Sequence, residues 1–241
     1  MNMNGRKIEK FNELAWVFGM LLLSLAVCLM TRANFGVSMI VSPAYVLQLA
    51  LSDKLPWFTF GTAEYMLQGV LLLIMCVAVR RFRWQYLLSF ACAVLYGFML
   101  DGWLYIFSGL SFDSIAWRIA AFVMGLVLTG ISVAFFFRTY LPVEVYDLFI
   151  TEVCARYGFK SVVVKWIYDF GMLTLAAVLA LCFFGDLTGL GIGTLVCTLV
   201  NSPLIALFGK IEDKLFSFTP MFPALERVIG NSPHEGKGDK K

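Results

Sequence analysis

WVFGMLLLSLAVCLMTRANFGVSM (Trp16–Met39) and FVMGLVLTGISVAFFFRTYLPVEV (Phe122–Val145) follow one plan. Each is an apolar run of helix length that breaks at an arginine, Arg32 in the first and Arg138 in the second, 106 positions later. At the same offset Gly19 falls on Gly125, Leu22 on Leu128, Val27 on Val133 and Val37 on Val143. The echo continues with small drifts. Glu64–Gln68 matches Lys165–Asp169 at an offset of 101, and Leu95–Leu100 matches Leu199–Leu204 at 104. A membrane segment duplicated within one chain is the building plan of many transporters and channels.

The rest of the composition agrees with a membrane solvent. Hydrophobic residues make up 60% of the chain, charged residues 15%, and the mean hydropathy is +0.82, which excludes an ordinary soluble domain. Six windows, 15–32, 60–79, 86–107, 116–137, 162–183 and 189–208, are long enough to cross ~30 Å of hydrocarbon. The run starting at Trp16 outlasts the apolar core of a signal peptide and precedes no soluble domain, so it reads as a retained span.

The connectors set the orientation. Arg6, Lys7 and Lys10 precede the first window, and Arg80, Arg81 and Arg83 follow the second. Arg156 and Lys160 precede the fifth, and Lys210 and Lys214 follow the sixth. The alternate connectors hold Lys54, Arg118 at an edge, and no cation in 184–190. Cations gather on the cytoplasmic side of membrane proteins, so both termini are expected in the cytoplasm of a cell (inner) membrane. Three spans per half then make the repeats inverted. The expected fold is an all-α polytopic membrane protein of six transmembrane helices in two inverted three-helix repeats, each with one short amphipathic or re-entrant helix. The expected division is a cytoplasmic segment 1–14, repeat 1 over 15–108, repeat 2 over 115–209, and a cytoplasmic, partly disordered tail 210–241 that carries His234.

Two shorter segments, 39–57 and 139–160, are too interrupted for ordinary spans. In the second, Glu144, Asp147 and Thr151 share one helical face and Val145, Leu148 and Phe149 another. Ser42-Pro43 reads as an N-cap followed by a first-turn proline. Each segment either lies on the interface or re-enters the membrane, where protein or water must satisfy its backbone.

Charges inside apolar windows tend to face the bundle interior. Glu64, Asp101, Lys165 and Asp169 qualify, and Lys165 and Asp169, one turn apart on the same face, either neutralise each other and hold two helices in register or belong to a polar site near the repeat interface. Asp101, followed by Trp103 and Tyr105, reads as a carboxylate snorkelling to the outer interface. Arg32 and Arg138 either snorkel to headgroups or pair inside the protein, with Glu144 and Asp147 the nearest partners for Arg138. Arg32, Glu64, Arg138, Asp147, Lys165 and Asp169 form the candidate substrate site, and their mixed signs suit a zwitterionic or anionic solute.

Other chemistries lack their parts. The six cysteines are scattered singly, with no paired spacing for a disulfide or metal site. Gly189-x-Gly191-x-Gly193-Thr194 follows no strand and has no P-loop lysine, so close helix packing fits it better than a nucleotide. No Ser/His/Asp, Cys/His or HExxH set is present, so no enzyme, cofactor or metal is expected. The small positive charge gives no basis for nucleic-acid binding.

Several short stretches bear a family likeness. Arg32-Ala-Asn-Phe-Gly-Val-Ser, Phe60-Gly-Thr, Pro142–Leu148 with Asp147, and Gly189-Leu-Gly-Ile-Gly-Thr-Leu resemble motifs of the YitT/YczE-like bacterial integral membrane proteins. The likeness covers roughly 15–210, and Pro142 stands where that family usually has glycine. It implies the polytopic fold rather than an activity. Two functions remain: a small-molecule transporter or permease with its site between the repeats, and an accessory or substrate-capture subunit that docks a protein partner. A homo-oligomer is compatible with both.

Overall fold

The computed structural model describes residues 8–109, 112 and 114–219. Among them are six helices long and apolar enough to cross a membrane. They are α1 (Asn12–Ala33), α3 (Phe60–Val79), α4 (Trp84–Ile106), α5 (Ile115–Phe136), α7 (Ser161–Phe184) and α8 (Ile192–Leu215). Two shorter helices, α2 (Ser42–Leu51) and α6 (Val145–Tyr157), occupy the two interrupted segments. The architecture is that of an all-α polytopic membrane protein. One addition was not expected: strands β1 (Ile8–Phe11) and β2 (Phe216–Thr219) pair in parallel and bring the two ends of the described chain together. Residues 220–241, including His234, lie outside the described residues.

The helix ends follow local chemistry. Thr59 caps α3 by accepting the Thr62 N–H at 3.2 Å, and Ser114 caps α5 by accepting the Ala116 N–H at 3.3 Å. Gly158 and Gly185 end α6 and α7 in the left-handed conformation that a glycine adopts without strain. The start of α2 differs from expectation. Ser42 is already helical, the cap is Val41, and the Ser42 hydroxyl donates to the Ser38 carbonyl at 2.8 Å instead of accepting an N–H. Pro43 does occupy the first turn.

α1 and α5 pack closely, each presenting a glycine to the other helix. A Cβ on Gly19 would sit 3.0 Å from the Phe136 ring and 3.4 Å from the Ser132 carbonyl. One on Gly125 would sit 2.9 Å from Met30 and 2.8 Å from the Ala26 carbonyl. These contacts are reciprocal at one offset, since Gly125, Ser132 and Phe136 each stand 106 positions after Gly19, Ala26 and Met30. Close approach of this kind is how small residues hold membrane helices together. Around this pair, α4 packs on α1 and α8 on α5, while α6 packs on α3 and α2 on α7.

The short helices lie within the bundle. The Val145 N–H at the start of α6 donates to Gln68 Oε1 at 3.1 Å. Gln68 stands two turns inside α3, about 12 Å from its start at 1.5 Å per residue. At the other end of α6 the Tyr157 hydroxyl donates to the Ala78 carbonyl at 2.7 Å, near the end of α3. α6 therefore runs beside the second half of α3 and begins near its middle. Val145, Tyr146, Leu148 and Ile150 are buried. This is the geometry of a re-entrant helix, not of one lying on the surface. Its approach strand is held from both sides, because the Pro142 carbonyl accepts the Trp16 indole N–H at 3.0 Å and the Cys92 thiol at 3.7 Å.

Candidate functional site

The starts of α2 and α6 meet a common cavity of about 110 Å³. Ser38–Val41, the turn leading into α2, line one side, and Glu144, Tyr146 and Asp147 at the start of α6 line another. α7 contributes Lys165 and Asp169, and α8 contributes Thr198, Asn201 and Ser202. Val27, Met30 and Tyr96 close the inner wall.

Each polar group is there for a local reason. Lys165 and Asp169, at i and i+4 on α7, pair at 3.3 Å. Pro203 within α8 has no N–H, so the Leu199 carbonyl loses its usual helical donor. The Asp169 Oδ1, Asn201 Oδ1 and Glu144 Oε1 atoms are buried without a hydrogen-bond partner. Three unanswered acceptors around one void describe a site that is shaped for polar company.

The cavity is also polarised. A helix start carries a partial positive charge from its unpaired N–H groups. α2 has no acid in its first turn, so its start and the Lys165 ammonium form a positive region. α6 carries Asp147 in its first turn, an acid that offsets the positive end there, beside the Glu144 carboxyl at its cap. The cavity can therefore receive a group of each sign.

Of the sequence-derived candidates, Asp147, Lys165 and Asp169 come together around this cavity. Glu64 lies behind its wall, fully buried, and its Oε2 accepts the Tyr146 hydroxyl at 2.7 Å. Arg32 and Arg138 lie elsewhere. Arg32 donates to the Leu104 carbonyl of α4 at 2.8 Å. Arg138 does not pair with Glu144 or Asp147. Its Nε donates to Asp213 Oδ1 at 2.7 Å, a second nitrogen reaches Asp213 Oδ2 at 2.8 Å, and Glu212 lies 3.8 Å away. The reason is that α8 continues to Leu215 and carries those acids back beside the end of α5. Asp101 accepts the Thr59 hydroxyl at 2.6 Å and the Gly61 N–H at 2.8 Å, fastening α4 to the start of α3.

Sequence reasoning missed Glu144, Gln68, Asn201 and Ser202 as site residues. A signal existed for Glu144, an acid one position before a short helix held between two spans. For Asn201 and Ser202 the signal was polarity beside a proline within an apolar window.

No curated protein and no solved structure matches the chain. Residues 11–210, which hold all eight helices except the last turns of α8, match the family described as "Family of unknown function (DUF6198)". The cavity and the helices that build it lie within that match, and the chain belongs to the DUF6198 family.

Proposed function

We propose that this protein is a small-molecule transporter or permease of the cell membrane, built from two inverted repeats, with its solute site in the cavity at the starts of α2 and α6. One observation carries the reading: two short helices begin inside the bundle at one polar cavity among the spans, the start of α2 positive and that of α6 offset by Asp147. Broken or short helices of this kind form substrate sites in transporters built from repeats. The reciprocal Gly19 and Gly125 contacts support an axis relating the two halves. The basic connectors support cytoplasmic ends, and β1–β2 pairing agrees with an even number of crossings. The resemblance to YitT/YczE-like proteins supports the same architecture.

The two poles of the cavity favour a small zwitterion. Its acid end faces Lys165 and the start of α2, and its basic end faces Glu144 and Asp147. The test is uptake by proteoliposomes of a panel of radiolabelled amino acids, betaines and small carboxylates. We expect at least one zwitterion to accumulate, and Lys165→Ala to weaken its uptake about tenfold or more, a loss of roughly 1.4 kcal/mol of binding. Uptake of no panel member, together with a stoichiometric protein partner on purification, would replace this reading with the accessory one.

A further inference from the structure

We propose that Glu144 is a proton-binding site open to the cavity, and that the transport proposed above, on which this coupling role rests, is coupled to protons. Glu144 and Glu64 are both buried, at 9% and 0% exposure, and neither joins an ion pair among the described residues. The hydrogen bonds around them are few. The Val145 N–H fixes the Gln68 amide by donating to its oxygen, which turns the Gln68 NH2 toward Glu144 Oε2 at 3.5 Å. The Glu144 Oε1 and Glu64 Oε1 atoms have no partner.

The charged and titratable groups around this point are unbalanced. α3 presents Glu64, α4 presents Tyr96 and Cys92, and α6 presents Tyr146 and Asp147. α7 presents Lys165, Tyr168 and Asp169, while α1 and α8 line the cavity with uncharged side chains. Glu64 and Glu144 have no ion pair among the described residues, and the Lys165 ammonium that lines the cavity is already 3.3 Å from Asp169. Carboxyl groups buried together away from cations do not all ionise. Glu144, enclosed and at the cavity wall without a paired cation, is where the proton sits.

They differ in access. Glu64 is sealed behind Tyr146, whereas Glu144 lines the cavity and can exchange. On release the Glu144 O–H bond breaks, the proton passes to water in the cavity, and the electron pair stays on the carboxylate. That carboxylate is then stabilised by Lys165 or by the basic end of a solute. Proton and solute thus compete for one group, which is the requirement for exchange.

Infrared spectroscopy of the full chain in phosphatidylcholine vesicles tests this without knowing the solute. At neutral pH the wild type should show a protonated-carboxyl stretch that Glu144→Gln lacks and that disappears on alkaline titration. Glu64→Gln should remove a different component that alkali does not reach. Identical carboxyl bands in wild type and Glu144→Gln would overturn the proposal. So would loss of the Glu144 band on replacing potassium chloride with sodium chloride at fixed pH, which would make this a sodium site.

Should Glu144→Gln fail to fold, the unmodified chain supplies a second test. The folded state retains protons that the unfolded chain releases above its ordinary carboxyl pKa, so Tm falls as pH rises from about 5 to 8. A Tm that does not fall over this range overturns the site. A Glu144 band without any solute uptake would leave the proton site standing and remove the transporter reading. Uptake without that band would do the reverse.

Discussion

The span pairs α3–α4 and α7–α8 follow α1–α2 and α5–α6 in chain order, yet only the first is closed. At Gly61 a Cβ would lie 2.6 Å from the Asp101 carboxylate, and at Gly97 it would lie 2.7 Å from the Gly61 carbonyl. The two backbones touch, and no other residue fits. At the sequence offsets of the repeat, Gly61 corresponds to Val162 and Gly97 to Asn201. Those side chains cannot be absorbed in the same way, and α7 and α8 hardly meet. The apolar windows of α3 and α4 are 44% and 33% buried, against 17% and 22% for α7 and α8, so the second pair leaves its flanks to lipid.

The same contrast holds one layer inward. Gln68 seats on the start of α6 and completes its backbone bonding, while its counterpart Asp169 faces the approach to α2 across the cavity. α3 and α4 thus form a closed pair, and α7 and α8 an open one beside the cavity.

Four experiments press on this difference. The largest effect is expected from Gly61→Leu, which must force α3 from α4 and should cost about 3 kcal/mol or more. Val162→Leu at the corresponding position should stay within about 0.5 kcal/mol. Thermal unfolding in detergent measures both, and equal losses would mean that the two pairs are closed alike.

Next comes Glu64→Ala, which strands the buried Tyr146 hydroxyl and should cost about 2 kcal/mol. Lys165→Ala breaks a pair in which the lysine is 33% exposed, and should cost less than about 1 kcal/mol while reducing uptake. A larger stability loss from Lys165→Ala would place the rigid half on the other side.

The two arginines give a smaller contrast. Each reaches a carbonyl of the last helix of its half, Leu104 for Arg32 and Gly209 for Arg138, but only Arg138 also grips a carboxylate in two places. Arg138→Ala should cost about 1.5 kcal/mol and Arg32→Ala about 0.5 less. Salt should narrow the gap, since Asp213 is 62% exposed.

The mildest probe is labelling. In a chain without its native cysteines, Ser202→Cys should react with a water-soluble thiosulfonate and its counterpart Phe98→Cys should not. Ser202 lines the cavity, whereas Phe98 is exposed on the outside of an apolar span. Equal labelling would argue against a wetted cavity.

Much of the frame was legible in the residues because burial in lipid leaves a long, uniform signal. α3 begins and ends at the limits its hydropathy set, Phe60 and Val79. The end of α8 was not legible. Lys210, Glu212 and Asp213 look like a solvated tail, but the helix continues because Arg138 offers those acids a partner 75 positions away in sequence. For the site, the offset of the repeat singled out Glu64, Lys165 and Asp169, since a charge recurring in two apolar windows is costly and so informative. It gave no depth for α6. Only the bond between Val145 and Gln68 shows that Glu144 belongs to the cavity and not to Arg138.

The pairing of Ile8–Phe11 with Phe216–Thr219 bears on how the molecule is made. Within the described chain β1 precedes all six long apolar helices and β2 follows them, so β1 keeps an unpaired edge until α8 has been made. The pair can close only if both strands emerge on one face of the membrane, so its closure would report an even number of crossings between them.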